Sequence, residues 1–395
     1  MGDRRSKVLF VNGVPMDKGG IETATMEVLR GMDKEKIVMD FAVRKPQRGC
    51  YHDEIESYGG RILNIFENTK HKGMKKWNFW LDIYSVVSFY KLLRKYGPYS
   101  AVHIPYPMLD GFLILAAWLA GVKVRIAHSR NTGFDETAPV TWTRKWIRRM
   151  RVFLCKRLAT HLWGCSRAAC EYMFGKQVMR DERAEVVPNP VNLDRFKNKM
   201  DRETACRMLD ISPHNINFIN VARYAPQKNQ FFLLNFFAIM LRKREDLHLL
   251  LTGPGPLESQ IREHIRKLGI ERHVTMLESN TPIPLALSAS DYFLLPSLYE
   301  GFGNALIEAQ AAGIPCFVSD ACQPEPNAGL IDYLPLARGE AYWAEYILEK
   351  ISKPEHKEAD IGYLNSFHTS TVAPKMQQVY LTGLKYHSEG LVADV

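Results

Sequence analysis

NFINVAR (217–223), NQFFLLNFFAIMLRK (229–243), LHLLLTG (247–253), ESQIREHIRKLG (258–269), HVTML (273–277), PLALSAS (284–290), YFLLPS (292–297), ALIEAQAAG (305–313) and IPCFVSD (314–320) follow one another with little between them. The odd members are short apolar runs without strict polar alternation, which reads as strands buried on both faces. The even members carry helical periodicity. Strand and helix in strict alternation mean a parallel sheet wrapped on both sides. In such sheets ligands lie beyond the carboxyl ends of the strands.

Working outward, the amino-terminal half repeats the pattern in a looser form. KVLFVNGV (7–14) is a strand, the loop MDKGG (16–20) follows, and IETATMEVLRGM (21–32) is helical. Strands are expected at 37–43, 61–66, 100–104, 122–128 and 161–165, and helices at 79–96, 111–120 and 141–159. Gly97-Pro98 stops the second of these four helices. VVPNPVNLDRF (186–196) and the polar run KNKMDRET (197–204) read as an interdomain hinge. The fold class is therefore α/β, with two doubly wound Rossmann-like domains and a cleft between them. The expected bounds are 1–192 and 193–369, with a terminal helix from about 370.

The chain has 395 residues, 46% of them hydrophobic and 24% charged, with a net charge of +9. The positive excess sits in residues 1–190, at +13, and the remainder is mildly acidic. That asymmetry points to an anionic partner for the first half. Seven cysteines with no C-x-x-C fit neither a disulfide framework nor a zinc site, and suit a reducing compartment. No apolar run reaches the about 18–20 residues that span a bilayer, so membrane contact is expected to be peripheral.

The chemistry concentrates in Tyr299-Glu300-Gly301-Phe302-Gly303-Asn304-Ala305-Leu306-Ile307-Glu308. Glycines 301 and 303 let the backbone approach a ligand closely. Asn304 reads as the N-cap of the following helix and Gly313 as its C′ residue. A helix start of this kind suits a diphosphate. Glu300 and Glu308 flank it, either placed to accept hydrogen bonds from sugar hydroxyls or simply a loop acid and a solvated helix acid beside turn glycines. Arg223 and Lys228, at the end of NFINVAR and just before the next helix, add two fixed cations where a departing phosphate would need them.

EGFGNALIEA (300–309), the Arg223…Lys228 pair, GPGPLESQIREHIRKLG (253–269) and ASDYFLLPSLYEG (289–301) together resemble the retaining GT-B glycosyltransferases of the E-x7-E type. The likeness is greatest to bacterial enzymes of capsule, exopolysaccharide or lipopolysaccharide assembly. It is looser in the first half, through Gly19-Gly20, His128 and PNPVNLDRF (188–196). The resemblance implies a nucleotide-sugar donor, with UDP the expected nucleotide, and a glycan or lipid-linked acceptor. Arg223 and Lys228 would bind the donor diphosphate, Glu300 the transferred sugar and Glu308 the ribose. Gly301, Phe302, Gly303 and Asn304 would line the donor, Gly20 would let its loop close on the diphosphate, and His128 would approach the sugar. No metal and no cofactor are implied, and the chain has no Asp-x-Asp. Arg130 stands where relatives often carry a smaller or neutral residue. The tail from about 370 would cross back onto the first domain.

KHKGMKKWNFW (70–80) and WTRKWIRRMRVFLCKR (142–157) mix Lys and Arg with Trp and Phe, which suits an anionic membrane surface. The alternative is a solvated helix face whose rings are core. No nucleic-acid motif accompanies the charge, and none is expected as a partner. The expected place is the cytoplasm, at the inner face of the membrane. A non-catalytic sugar-nucleotide-binding or scaffold protein of the same fold is the alternative function. A nicotinamide enzyme is disfavoured because no G-x-G-x-x-G opens the first βαβ unit.

Overall fold

The computed structural model describes residues 5–13, 15–17, 19–45, 47–66, 79–106, 111–133 and 141–386. The chain divides into two compact units, Met1–Pro190 with Phe367–Val395, and Val191–Ser366. Most of the first basic cluster, residues 70–78, lies outside the described residues, as do Lys18 of the glycine loop and the tail beyond 386.

In the first unit the strands are β1 (Ser6–Asn12), β2 (Ile37–Val43), β3 (Ile62–Asn64), β4 (Ala101–Ile104), β5 (Val124–Ser129), β6 (His161–Gly164) and β7 (Ala184–Val186). They form a parallel sheet in the order β3-β2-β1-β4-β5-β6-β7. Its helices are α1 (Gly20–Gly31), α2 (His52–Ser57), α3 (Phe79–Tyr96), α4 (Leu113–Leu119), α5 (Trp142–Leu158) and α6 (Arg167–Phe174).

The pleat of β1 shows why both faces are covered. Val8 and Phe10 enter one apolar cluster with Met26 and Val28 of α1. Leu9 and Val11 enter the other with Phe89 of α3 and Ile114 of α4. A strand with no polar face can be satisfied only between two helical layers.

The second unit contains β8 (Ile216–Val221), β9 (Leu247–Thr252), β10 (Val274–Met276), β11 (Tyr292–Leu295), β12 (Cys316–Ser319) and β13 (Ile331–Leu334). Their parallel order is β10-β9-β8-β11-β12-β13. Its helices are α7 (Asp194–Lys197), α8 (Arg202–Met208), α9 (Gln230–Leu241), α10 (Glu258–Leu268), α11 (Ile283–Ser288), α12 (Asn304–Ala311), α13 (Gly339–Ser352) and α14 (Ile361–Asn365). Phe218, Leu249, Leu294 and Phe317 pack with Phe236 of α9, Ile261 of α10 and Trp343 of α13.

The last helix, α15 (Thr369–Thr382), belongs to the first unit. Val372, Met376, Val379 and Tyr380 complete the cluster around Phe10. Gly31 makes room for it: a Cβ there would sit 2.6 Å from Ala373 Cβ. Thr369 Oγ1 donates to Glu27 Oε2 at 3.1 Å, and the Asp33 amide donates to Gln377 Oε1 at 2.7 Å. Among the described residues no helix is long and apolar enough to cross a membrane.

Candidate functional site

In each sheet the strand order reverses once, between β1 and β4 and between β8 and β11. At such a point the loops leaving adjacent strands part and open a crevice. The loops after β8 and β11 are those that carry Arg223 to Lys228 and Ser297 to Gly303, so topology alone brings the two sequence-predicted segments together.

The β8 loop is fixed from below by the β9 loop. Gly253 has φ +138°, and a Cβ on it would sit 2.2 Å from the Ala222 carbonyl oxygen. A Cβ on Gly255 would sit 2.3 Å from the Tyr224 carbonyl oxygen. These two glycines let backbone lie directly on backbone. Arg223 emerges exposed from that support, while Tyr224 beside it is buried. A 3-10 turn then runs from Pro226 to Lys228, Asn229 adopts a left-handed conformation (φ 57°), and α9 begins at Gln230. Lys228 therefore precedes the helix and is not in its first turn.

Gln227 ties this loop to the next. Its carbonyl accepts from the Leu298 amide at 2.8 Å, and its Nε2 donates to the Tyr299 carbonyl at 2.8 Å. Held this way, Lys228 Nζ forms an ion pair with Glu300 Oε1. Ser297 Oγ donates to the same oxygen at 2.8 Å. Gln323 Nε2 donates to the Glu300 carbonyl at 3.3 Å. Glu300 is 5% exposed. Burial, and secondarily the Glu300 charge, push the nearby Cys322 thiol up to about 12, which leaves no reactive thiolate beside the acid.

Gly303 and not Asn304 is the N-cap of α12, because the chain turns there through the left-handed region (φ 89°), and Asn304 is already helical. Phe302 is buried beneath this turn at 2% exposure, and Gly301 is buried beside it. The other end of α12 is as the sequence predicts. Gly313 has φ +65°, its amide donates to the Gln310 carbonyl at 2.8 Å, and the Ile314 amide donates to Ala309 at 3.0 Å. That is a Schellman closure with Gly313 at C′. Glu308 lies half-buried one turn from the α12 start, at i+4 from Asn304. Thus Lys228 and Glu300 are in direct contact, Arg223 stands at the mouth of the β8 loop, and Glu308 follows on α12. Ser297, Gln227 and Gln323 are not singled out by sequence: the partners of Gln227 and Gln323 lie in other loops, and Ser297, only three residues before Glu300, carries no signal beyond an ordinary loop serine.

Two further predicted residues belong to the first unit. Gly20 opens α1, and a Cβ placed there would meet no atom within 4 Å. His128, on β5, is fully buried. Its Nδ1 lies 3.1 Å from His103 Nε2, whose ring in turn places Nδ1 2.6 Å from the Tyr380 hydroxyl. The Trp163 indole stands edge-on to both imidazoles. Burial first, and the Arg130 charge second, hold both histidines well below the usual histidine range, so both are neutral. The Tyr380–His103–His128 chain was not legible in sequence, because its ends are 252 positions apart.

A model of glycosyl transferases group 1 matches residues 201–327, and one of glycosyltransferase family 4 matches residues 18–195. EpsF of Bacillus subtilis (strain 168), which carries a glycosyltransferase name, is 33% identical over 356 residues, 88% of this chain and 88% of that protein. The Escherichia coli UDP-Gal:alpha-D-GlcNAc-diphosphoundecaprenol alpha-1,3-galactosyltransferase is 29% identical over 254 residues, 60% of this chain and 62% of that protein. Among solved structures, Anabaena Alr3699/HepE in complex with UDP and glucose aligns with a TM-score of 0.75 at 17% identity, over 96% of this chain and 100% of that one. With a relative of this similarity over most of both chains and two doubly wound parallel sheets in tandem, the chain belongs to the glycosyltransferases and has the GT-B fold, with a group 1 glycosyl transferase match in its second unit.

Proposed function

We propose that this glycosyltransferase moves a sugar from a UDP-sugar to a glycan or lipid-linked acceptor during bacterial surface polysaccharide assembly, with retention of anomeric configuration and without a metal. The observation that carries the reading is the Lys228–Glu300 pair held at the strand-order reversal of the second unit. A cation for phosphate and an acid for sugar hydroxyls are there side by side. Arg223 and Lys228 take the diphosphate, Glu300 the transferred sugar and Glu308 the ribose. The turn from Gly301 to Asn304 lines the donor. As the glycosidic bond stretches, charge gathers on the leaving phosphate, and the two cations with the α12 amino terminus stabilise it more than they stabilise the ground state. Among the side chains of this site none is poised as a covalent nucleophile, which favours front-face attack by the acceptor hydroxyl. UDP in the HepE complex and in the name of the Escherichia coli relative supports the choice of nucleotide. A panel of UDP-, GDP- and ADP-sugars, read by thermal shift and by donor hydrolysis, tests this. UDP-sugars should raise the melting temperature and be hydrolysed; a response confined to GDP- or ADP-sugars refutes the assignment of uridine.

The second basic cluster supports a membrane-facing role for the first unit. Along α5, Trp142, Trp146, Arg149, Phe153 and Lys156 recur at helical spacing. Trp142 is 76% exposed, Trp146 44% and Phe153 63%, whereas Cys155 is buried on the opposite side. The rings are therefore outside the core, against the solvated-face alternative. A groove of about 690 Å³ beside them is lined by Lys145, Arg148, Arg149, Lys156 and Arg157. Cations meet lipid phosphates and rings enter the interface, which supports peripheral contact with an anionic membrane, the inner face of the cytoplasmic membrane being the proposed place. Changing Trp142, Trp146 and Phe153 together to Ser should weaken binding to anionic phospholipid vesicles by about tenfold or more in flotation assays. Equal binding by this variant and the parent would rule the surface out.

A further inference from the structure

We infer that His128 is a positioning residue and not a contact of the transferred sugar: with His103 and Tyr380 it forms one buried hydrogen-bond chain that fastens both segments crossing between the units onto the first sheet. The polypeptide passes from one unit to the other twice, at Pro190–Val191 and at Ser366–Phe367. The first crossing begins just beyond Val187, and the second leads at once into α15.

Side-chain direction decides where His128 can act. Alternate residues of a strand share a face. Val124 and Ile126 of β5 pack in the cluster that contains Val372, Met376 and Tyr380 of α15. His128 therefore projects onto that covered face and not past the carboxyl end of its strand. Ala101 of β4 lies in the same cluster, and His103 follows it by two positions. The two imidazole centres are 5.2 Å apart, the Trp163 indole stands edge-on to them at 5.6 and 5.7 Å, and the Phe10 ring is 4.7 Å from His103. At 0% exposure His128 offers a sugar hydroxyl no surface.

The protons along the chain follow from its ends. The Val187 backbone acts on the His128 ring in the sense that favours a proton there, as a carbonyl acceptor does. His128 Nδ1 faces His103 Nε2 at 3.1 Å, so in a neutral ring the proton directed to Val187 is on Nε2, and Nδ1 accepts. His103 Nε2 is then a donor and its Nδ1 an acceptor, which takes the Tyr380 hydroxyl proton at 2.6 Å. Each link has one donor and one acceptor: Tyr380 to His103, His103 to His128, His128 to Val187. The opposite polarity would turn a bare nitrogen toward the Val187 carbonyl. The Val187 amide meanwhile donates to the Gly164 carbonyl of β6 at 2.8 Å. The start of one crossing is thus held by β5 and β6, and the helix that ends the other is held by β4, through a single satisfied polar network that specifies one arrangement.

Tyr380→Phe deletes one hydroxyl and leaves the ring in place, so it breaks the chain at one end without emptying the core. In hydrogen exchange it should speed exchange by about two- to tenfold, the worth of one hydrogen bond. The change should appear in peptides spanning α15 and also, at the far end, in peptides spanning Val187, with β2 unaffected. Sugar transfer is then measured in Tyr380→Phe, His128→Gln and the double variant. The double variant should match His128→Gln within about twofold, since both changes break the same chain. Nitrogen NMR of histidine-labelled protein should show both rings neutral and protonated on Nε2. Parental exchange at Val187 in Tyr380→Phe overturns the proposal. So does a His128→Gln protein that keeps parental exchange at α15 and Val187 yet loses transfer by about 100-fold or more, the mark of a direct contact. Rings protonated on Nδ1 overturn it as well. If His128→Gln does not fold, Tyr380→Phe and the ring protonation decide alone.

Discussion

Glu300→Gln should reduce sugar transfer by about 100- to 1000-fold in kcat/KM while leaving the protein folded. The amide is nearly isosteric and can still accept from Ser297 Oγ, which now lies 2.8 Å from the carboxylate. What disappears is the charge that pairs with Lys228 and that, in the proposed site, would grip a sugar hydroxyl. Removing one partner of a largely buried ion pair also has a structural cost, so circular dichroism and the melting temperature must accompany the kinetics. A variant that melts close to the parent and fails in transfer places Glu300 in the chemistry. Full activity would sink the proposed donor site. Unchanged cellular function with no measurable transfer by either protein would favour the non-catalytic reading of the same fold.

Gly253→Ala should destabilise the second unit by about 3 kcal/mol or more, lowering its melting temperature by roughly 6–12 °C. Two penalties coincide. At φ +138° an L side chain is strained, and the new Cβ would lie 2.2 Å from the Ala222 carbonyl oxygen and 2.6 Å from its carbon. Neither obstacle is a flexible side chain, so backbone must move, and Arg223 moves with it. Gly269→Ala is the control. It also has positive φ (+68°), but its Cβ would meet nothing within 4 Å. Its cost should be only the left-handed penalty of about 1–2 kcal/mol. Equal melting temperatures for the two variants would show that the β8 and β9 loops are not locked as described.

These expectations separate what was legible in sequence from what was not. β2 and α3 fall where hydrophobic period places them, at 37–43 and 79–96, because each has a long run whose pattern is set by burial. The sequence assigns no element at α2, α6, β7, β13, α13 or α14, and the stretch 186–204, expected to be a hinge, holds α7 and the start of α8. β7 is three residues long, and β13 is an edge strand of only four. α13 did carry a signal: Trp343, Ile347 and Ile351 recur every four residues and are buried. At the site, the Glu300–Glu308 segment was legible because its glycines and acids are close in sequence. Its supports were not. Gln227 reaches Tyr299, and Gly253 and Gly255 press on Ala222 and Tyr224, across loops joined only by sheet topology. The choice of Gly303 over Asn304 as N-cap turned on backbone conformation, since a glycine in the left-handed region supplies the reversal that a side-chain cap would otherwise stabilise.

On the proposed donor site, the contact between Lys228 and Glu300 would make donor entry a test of two chemical features at once. Before a donor arrives, each charge answers the other. A bare diphosphate draws the ammonium away and strands the carboxylate; a bare sugar engages the carboxylate without offering the ammonium anything better. Only a molecule that joins both groups compensates both sides in one event. Selection for the intact donor over its own hydrolysis products would thereby be written into an interaction that exists while the protein stands idle.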